Sequence, residues 1–279
     1  EVGELPMTLT VEAAVQSRLD HLPPAEKDAC KRAAIFGRPF STEELEAMGV
    51  SGAAALLGSL GKRDLVSGRA KAGGGRGRQF QFRSTLVVDV AYGMLADEIR
   101  KDLHRRAALY LGRQPQAEDE EVGSHHERGG EPLAAAARYA TAALGAAPRG
   151  DTPTVLRCSE KALALGAPSE LRFALHMARA DALRYLGKRD AQGQELALSR
   201  ELAGTDVELA RVLTEQAVLR LRIGQTAEAL ADAEAAVVAA ERAGDAEVLT
   251  GARARYVTAL IYGGGLQRAR EAFTEARSE

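Results

Sequence analysis

Glycine recurs at positions 150, 187, 224 and 264, at intervals of 37, 37 and 40 residues, each time between two stretches patterned as helices. A repeat of this length restricts a chain to architectures in which each unit is one supersecondary motif, stable only when stacked on its neighbours. Aligning on the glycines brings other columns into register. Seven residues before them stand Ala143, Ala180, Ala217 and Val257, small in three cases. Twelve residues after them stand Ala162, Ser199, Ala236 and Ala276, small in all four. Small side chains recurring in register let helices approach closely. The implied helix pairs are 132–147 with 152–165, 168–186 with 189–202, 205–223 with 226–243, and 246–262 with 266–278.

The stretches LRYLGKRDAQ, LRLRIGQTAEAL and LIYGGGLQRAREAF resemble tetratricopeptide repeats, with longer helices than that unit usually has. Five residues after each glycine, where the family pattern wants a small side chain, the column reads Val155, Gln192, Ala229 and Ala269, so the repeats are degenerate. The resemblance implies a mainly α chain with a helical superhelix over residues 113–279 and a binding groove lined by the first helix of each pair. With the glycines in register, inner-face positions include Asp181, Arg184, Tyr185, Arg211, Thr214, Arg222 and Tyr262. Arginines beside tyrosines suit a protein or peptide partner that presents carboxylates. A solvated face without a ligand is the alternative.

Residues 1–112 read differently. Amphipathic spacing predicts helices at 11–22 and 24–36. Ser41-Thr42-Glu43-Glu44 gives a capping signal before ELEAMG, and SGAAALLGSL forms a third short helix. Two strand-like runs, 64–67 and 79–82, flank the glycine-rich KAGGGRGR. Helices followed by such a hairpin predict a winged helix, and a long connecting helix is expected from about Thr85 to Leu111. That helix leads into a first irregular pair, which a helix near 118–129 would complete.

The stretches LPMTLTVEAAVQSRLDHLPPAEKDACKRAAIFGRPF, QFQFRSTLVVDVAYGMLADEIRKDLHRRAALYL and SHHERGGEPLAAAARYATAAL resemble the region after the ATPase core in bacterial signal-transduction ATPases with numerous domains. Those cores are fused to adenylate cyclases, serine/threonine kinases or transcription activators. The resemblance implies that the ATPase core of a longer parent chain is itself a partner, and Glu1, which is no initiator Met, fits a piece of a longer protein. Where the family commonly reads Phe-Arg-His, this sequence has Phe82-Arg83-Ser84, whereas Tyr92, Arg100 and His104 match the family's spacing. From the residues themselves, Tyr92 and His104 are expected to anchor the long helix to its neighbours.

No catalytic set emerges. Gly61-Lys62 and Gly187-Lys188 lack the glycine and hydroxyl neighbours of a phosphate-binding loop. His125 and His126 are adjacent on a helix, about 100° apart, and are expected on its surface rather than as metal ligands. The expectation is therefore a chain without cofactor, metal or enzymatic activity. The net charge of −2 gives no global footprint for nucleic acid. The hairpin region is locally basic, with Lys62, Arg63, Arg69, Lys71, Arg76 and Arg78 able to meet phosphates or a docking partner. The recognition helix SGAAALLGSL has no Arg, Lys, Asn or Gln to read bases. Cys30 and Cys158 are expected to be buried thiols. No run reaches the ~20 apolar residues of a membrane span, so no membrane partner is expected and a cytoplasmic location is. These features together predict a regulatory, partner-binding fragment. A DNA-binding regulator and a purely structural scaffold are the alternatives.

Overall fold

The computed structural model describes residues 7–70 and 78–278. Among them are fifteen α-helices and three short strands, and the chain divides into two compact units, Glu1–Ala135 and Ala136–Glu279.

The first unit opens with α1 (Met7–Asp20) and α2 (Pro24–Ala33). Proline at the first position of α2 presets its φ where no amide donor is needed. Strand β1 (Phe40–Ser41) follows, and Ser41 caps α3 (Thr42–Ala47) in a full capping box. Glu44 N donates to Ser41 Oγ at 3.2 Å, and Ser41 N donates to Glu44 Oε2 at 2.6 Å. Helix α4 (Ala53–Lys62) ends with Asp64 in the left-handed region at φ 57°, so the next strand begins at Val66 and not at 64. Strands β2 (Val66–Ala70) and β3 (Arg78–Phe82) pair antiparallel, and β1 adds to the other edge of β3 to give the order β1-β3-β2. The two-residue β1 is too short to show a period in the sequence. Phe40, Leu45, Met48, Leu57, Leu60 and Leu65 form one buried core on this sheet.

The single long helix expected over 85–111 is two helices, α5 (Thr85–Gly93) and α6 (Asp97–Leu111). Gly93 weakens the end of the first, and Asp97 and Glu98 place negative charge where a new helix N-terminus favours it. The main-chain oxygen of Leu95, in the break, accepts from Arg100 Nη2 at 2.9 Å. Ser84, which stands where the resembled family has histidine, caps α5 by accepting from Leu86 N at 3.2 Å.

Helix α7 (Asp119–Arg128) packs on α6, so the first unit extends to Ala135 where the sequence put a boundary at 112/113. Arg105 Nε donates to Gly129 O at 2.8 Å, and His104 meets His125 between the two helices. His125 is therefore a core residue, 4% exposed, and not a surface one. His126 is mostly covered too and pairs with Glu131 at 2.7 Å.

The remaining helices are α8 (Pro132–Ala146), α9 (Thr152–Ala164), α10 (Ser169–Tyr185), α11 (Arg189–Leu202), α12 (Asp206–Arg222), α13 (Thr226–Ala243), α14 (Ala246–Tyr262) and α15 (Leu266–Ser278). They match the four expected pairs closely. All four register glycines have φ between 68° and 81°. In each turn the residue after the glycine donates to the carbonyl four residues before it: Asp151 to Ala146, Lys188 to Leu183, Gln225 to Arg220, Gly265 to Leu260, at 3.3, 3.0, 2.9 and 2.9 Å. One helix-ending motif, repeated four times, thus sets where each pair turns.

The small columns lie inside. Ala143, Ala180 and Ala217 are buried, as are Ala162, Ser199 and Ala236. Val257 is only half-buried, and Ala259 takes the central contact in its repeat with Ala217 and Ala233. The column Val155, Gln192, Ala229 and Ala269 is buried throughout, so its bulkier members are accommodated. Polar groups also lie in the interior. Glu195 accepts from Arg179 Nε and pairs with His176 Nδ1, both at 2.7 Å. Asp232 Oδ2 lies 2.8 Å from Arg220 Nη1, at an angle outside that of a hydrogen bond. Burial raises the Asp232 carboxyl above the usual carboxylate range although Arg220 and Arg200 oppose it.

Candidate functional site

The first helices of successive repeats, α10, α12 and α14, carry all seven residues expected in the groove, and the structure sorts them into three places. Asp181 and Arg184, one turn apart on α10, form an ion pair, and the Arg184 guanidinium lies 4.5 Å from the centre of the Tyr185 ring. The hydrogen bonds from Arg184 to Asp181 raise its pKa further. This cluster satisfies itself, so Arg184 offers less to a partner than the sequence suggested.

Arg211 and Thr214 line a recess of about 280 Å³. Its floor is apolar, from Met177 of α10 with Val248 and Ala252 of α14, and Glu215, Glu247 and Gly251 complete the wall. Arg222 and Tyr262 line a second recess of about 230 Å³ with Arg255 and Thr258. Among the described residues, Arg211, Arg222 and Arg255 form no ion pair. Two unpaired guanidiniums from different helices therefore converge on one hollow beside a tyrosine that is 70% exposed. Such a set can hold a carboxylate through charge-assisted hydrogen bonds.

Sequence reading missed Arg255, Thr258, Glu215 and Glu247. The signal for Thr258 was present, since it stands six residues before its glycine as Asp181 does before Gly187. Arg255 stands nine before, at the offset of Glu215 from Gly224, so these two share a column that the predicted groove did not include.

The basic hairpin is less available than its composition implied. Arg63 pairs with Glu26 at 2.8 Å and Arg83 with Asp64 at 3.4 Å, while Arg69 Nη1 donates to Gln81 Oε1 at 3.3 Å. Lys62 and Arg78 line a hollow of about 370 Å³ floored by Gly61, Gly68 and Phe80. Lys71 and Arg76 lie outside the described residues.

A third polar cluster joins Tyr92 and His104 to a partner that was not foreseen, His125. Tyr92 Oη lies 2.9 Å from His104 Nε2, and His104 Nδ1 lies 2.9 Å from His125 Nδ1. Burial lowers the His104 pKa to about 4 and that of His125 to about 3. Positive charge from Arg128 and Arg100 adds to the His104 shift, and His104 followed by Arg128 adds to that of His125. Both rings are thus neutral at ordinary pH, and one Nδ1 donates while the other accepts. This network joins α5, α6 and α7, which agrees with the anchoring expected of Tyr92 and His104.

Both cysteines are buried, and burial together with Glu26 pushes the Cys30 thiol up to about 12, far from a reactive thiolate. No group of three or more His, Cys, Asp or Glu side chains among the described residues could hold a metal ion. No helix among them is long and apolar enough to cross a membrane.

The fold and groove define a helical-repeat protein of stacked antiparallel pairs that also carries a small helix-and-sheet unit. No protein-family profile matches the chain, and no curated protein matches it. Among solved structures it is similar to a signal-transduction ATPase with numerous domains bearing a tetratricopeptide repeat sensor, from Pyrococcus horikoshii. The identity is 15% and the TM-score 0.39, over 99% of this chain and 46% of that one. It is also similar to BtubC (BKLC) from P. vanneervenii, at 13% identity and a TM-score of 0.41, over 92% of this chain and 91% of that one. The chain thus spans less than half the length of the first of these.

Proposed function

We propose that this chain is a noncatalytic regulatory fragment whose repeat arm binds a protein partner through the groove between α12 and α14. The observation that carries this reading is the convergence of the unpaired Arg222 and Arg255 with Tyr262 on one hollow. Arginines held apart by a rigid scaffold, with an exposed aromatic ring beside them, form a surface where truncation of a few side chains removes most of the binding energy. On this reading the amino-terminal unit is a winged helix. It passes the occupancy of the arm to the ATPase core of a longer, cytoplasmic signalling protein, which requires the partner to bind two states of the parent unequally. The support for that part is the family resemblance of residues 5–146 and the order of helices and strands around β1-β3-β2.

The test is capture of partners from a lysate of the source organism by wild-type chain and by Arg222→Glu/Arg255→Glu. Loss of specific partners from the variant, with its helical circular dichroism unchanged, is the expected result. Identical recovery refutes the groove.

A further inference from the structure

The two recesses differ in charge, and they follow one another along the same pair of helices. On α12 the order is Glu215 and then Arg222, seven residues on. On α14 it is Glu247 and then Arg255, eight residues on. At 1.5 Å per residue these separations are about 10 and 12 Å. Beyond Arg211 on α12, both helices therefore run from acid to base in the same direction along one groove. The first recess holds two carboxylates against Arg211, an excess of one negative charge. The second holds two positive charges and no carboxylate. Part of the Glu215 field reaches Arg184, which raises the pKa of that guanidinium.

A groove polarised in this way discriminates by spacing as well as by charge. In polyproline II geometry, residues three apart lie on the same side of the chain, about 9 Å from each other. That is slightly under the ~10–12 Å between the acidic and basic residues along the two helices. Resting on the partner-binding reading above, we infer that the groove takes an extended peptide segment with a lysine or arginine and, three residues away, an aspartate or glutamate. The basic side chain enters the recess of Glu215 and Glu247, where Met177 and Val248 cover its methylene stem. The acidic side chain enters the recess of Arg222 and Arg255.

Gly251 supplies a way to close one recess without changing any charge. It lies within α14, lines the first recess, and a Cβ placed there meets nothing within 4 Å. A tryptophan at this position fills the recess from a helical residue with open space in front of it.

The experiment uses the full chain and a fluorescein-labelled proline-rich peptide with Lys and Glu three residues apart, followed by anisotropy at low salt. Gly251→Trp and Arg222→Glu/Arg255→Glu are each expected to weaken binding at least tenfold. Moving Lys and Glu to adjacent positions should do the same. The double arginine variant should also bind the peptide with Lys in place of Glu better than the wild-type chain does, a reversal that loss of folding does not produce. Equal binding of both spacings, or no measurable binding of either peptide, overturns the inference. If lysate partners are still lost from the arginine variant in that case, partner binding by the groove stands and only the ligand chemistry fails.

Discussion

The two buried imidazoles between α6 and α7 make the amino-terminal unit sensitive to acid in a way that can be worked out in advance. His104 is 0% exposed and His125 4% exposed, and their pKa values are lowered to about 4 and about 3. In the unfolded chain each titrates near 6.5. Above that pH both states are neutral and the pair contributes its full stability. As pH falls below it the unfolded chain takes up protons that the folded unit refuses, so stability is lost, and the loss levels off only below the folded values. Each group contributes ~1.4 kcal/mol per pH unit inside that window, so the pair should cost about 3 kcal/mol between pH 7.5 and 5.5. Carboxylates titrate mostly below this range, and the other histidines cancel when wild type is compared with a His104→Phe/His125→Leu variant. The assay is hydrogen exchange by mass spectrometry on peptides from α6, corrected for the intrinsic rate at each pH, which reads the opening free energy of this unit rather than that of the whole chain. The wild-type unit should lose about 3 kcal/mol more protection than the variant over the two pH units. An equal loss in both would mean that the imidazoles are protonated in the folded state, and the hydrogen-bonded pair would have to be discarded.

Two further outcomes test the repeat. Gly187→Ala and Gly224→Ala place a Cβ at positive φ with nothing within 4 Å, so only the backbone conformation resists, and each should destabilise by about 1–2 kcal/mol in urea unfolding. Gly251→Ala, in a helix interior with open space, should instead stabilise by roughly 1 kcal/mol; the same sign at all three positions would contradict the register. Ala236→Leu forces three extra carbons into the contact of α13 with Ala210, Leu213 and Val248, and should destabilise by about 1–3 kcal/mol, whereas a neutral effect would show that close helix approach is not what the small column provides.

The repeat was legible because its determinants are local and recur. A glycine in the left-handed region, a 6→1 hydrogen bond and a small side chain at fixed offsets are all properties of one turn and its flanks, and four copies average out the departures at Val155, Gln192 and Val257. The amino-terminal unit was less legible because its determinants are pairwise and distant. Strand β1 exists through its pairing with β3, forty residues on (Phe40 with Phe80). His125 is interior because His104, twenty-one residues earlier, meets it there. A histidine in an acidic, polar helix such as DEEVGSHHER looks exposed by composition, and only the partner ring reveals that it is not.

The groove combines the two cases. Its positions follow from the register, which is local, but the availability of each charge depends on neighbours that the register does not specify. Arg184 and Arg222 stand one position apart relative to their glycines. Arg184 finds Asp181 on its own helix, while Arg222 has Leu219 at the corresponding offset and forms no ion pair. A single acidic residue, three positions before the arginine, therefore separates a self-neutralised surface from one that can receive a carboxylate. For this reason the binding assignment moves from α10 to the hollow shared by α12 and α14.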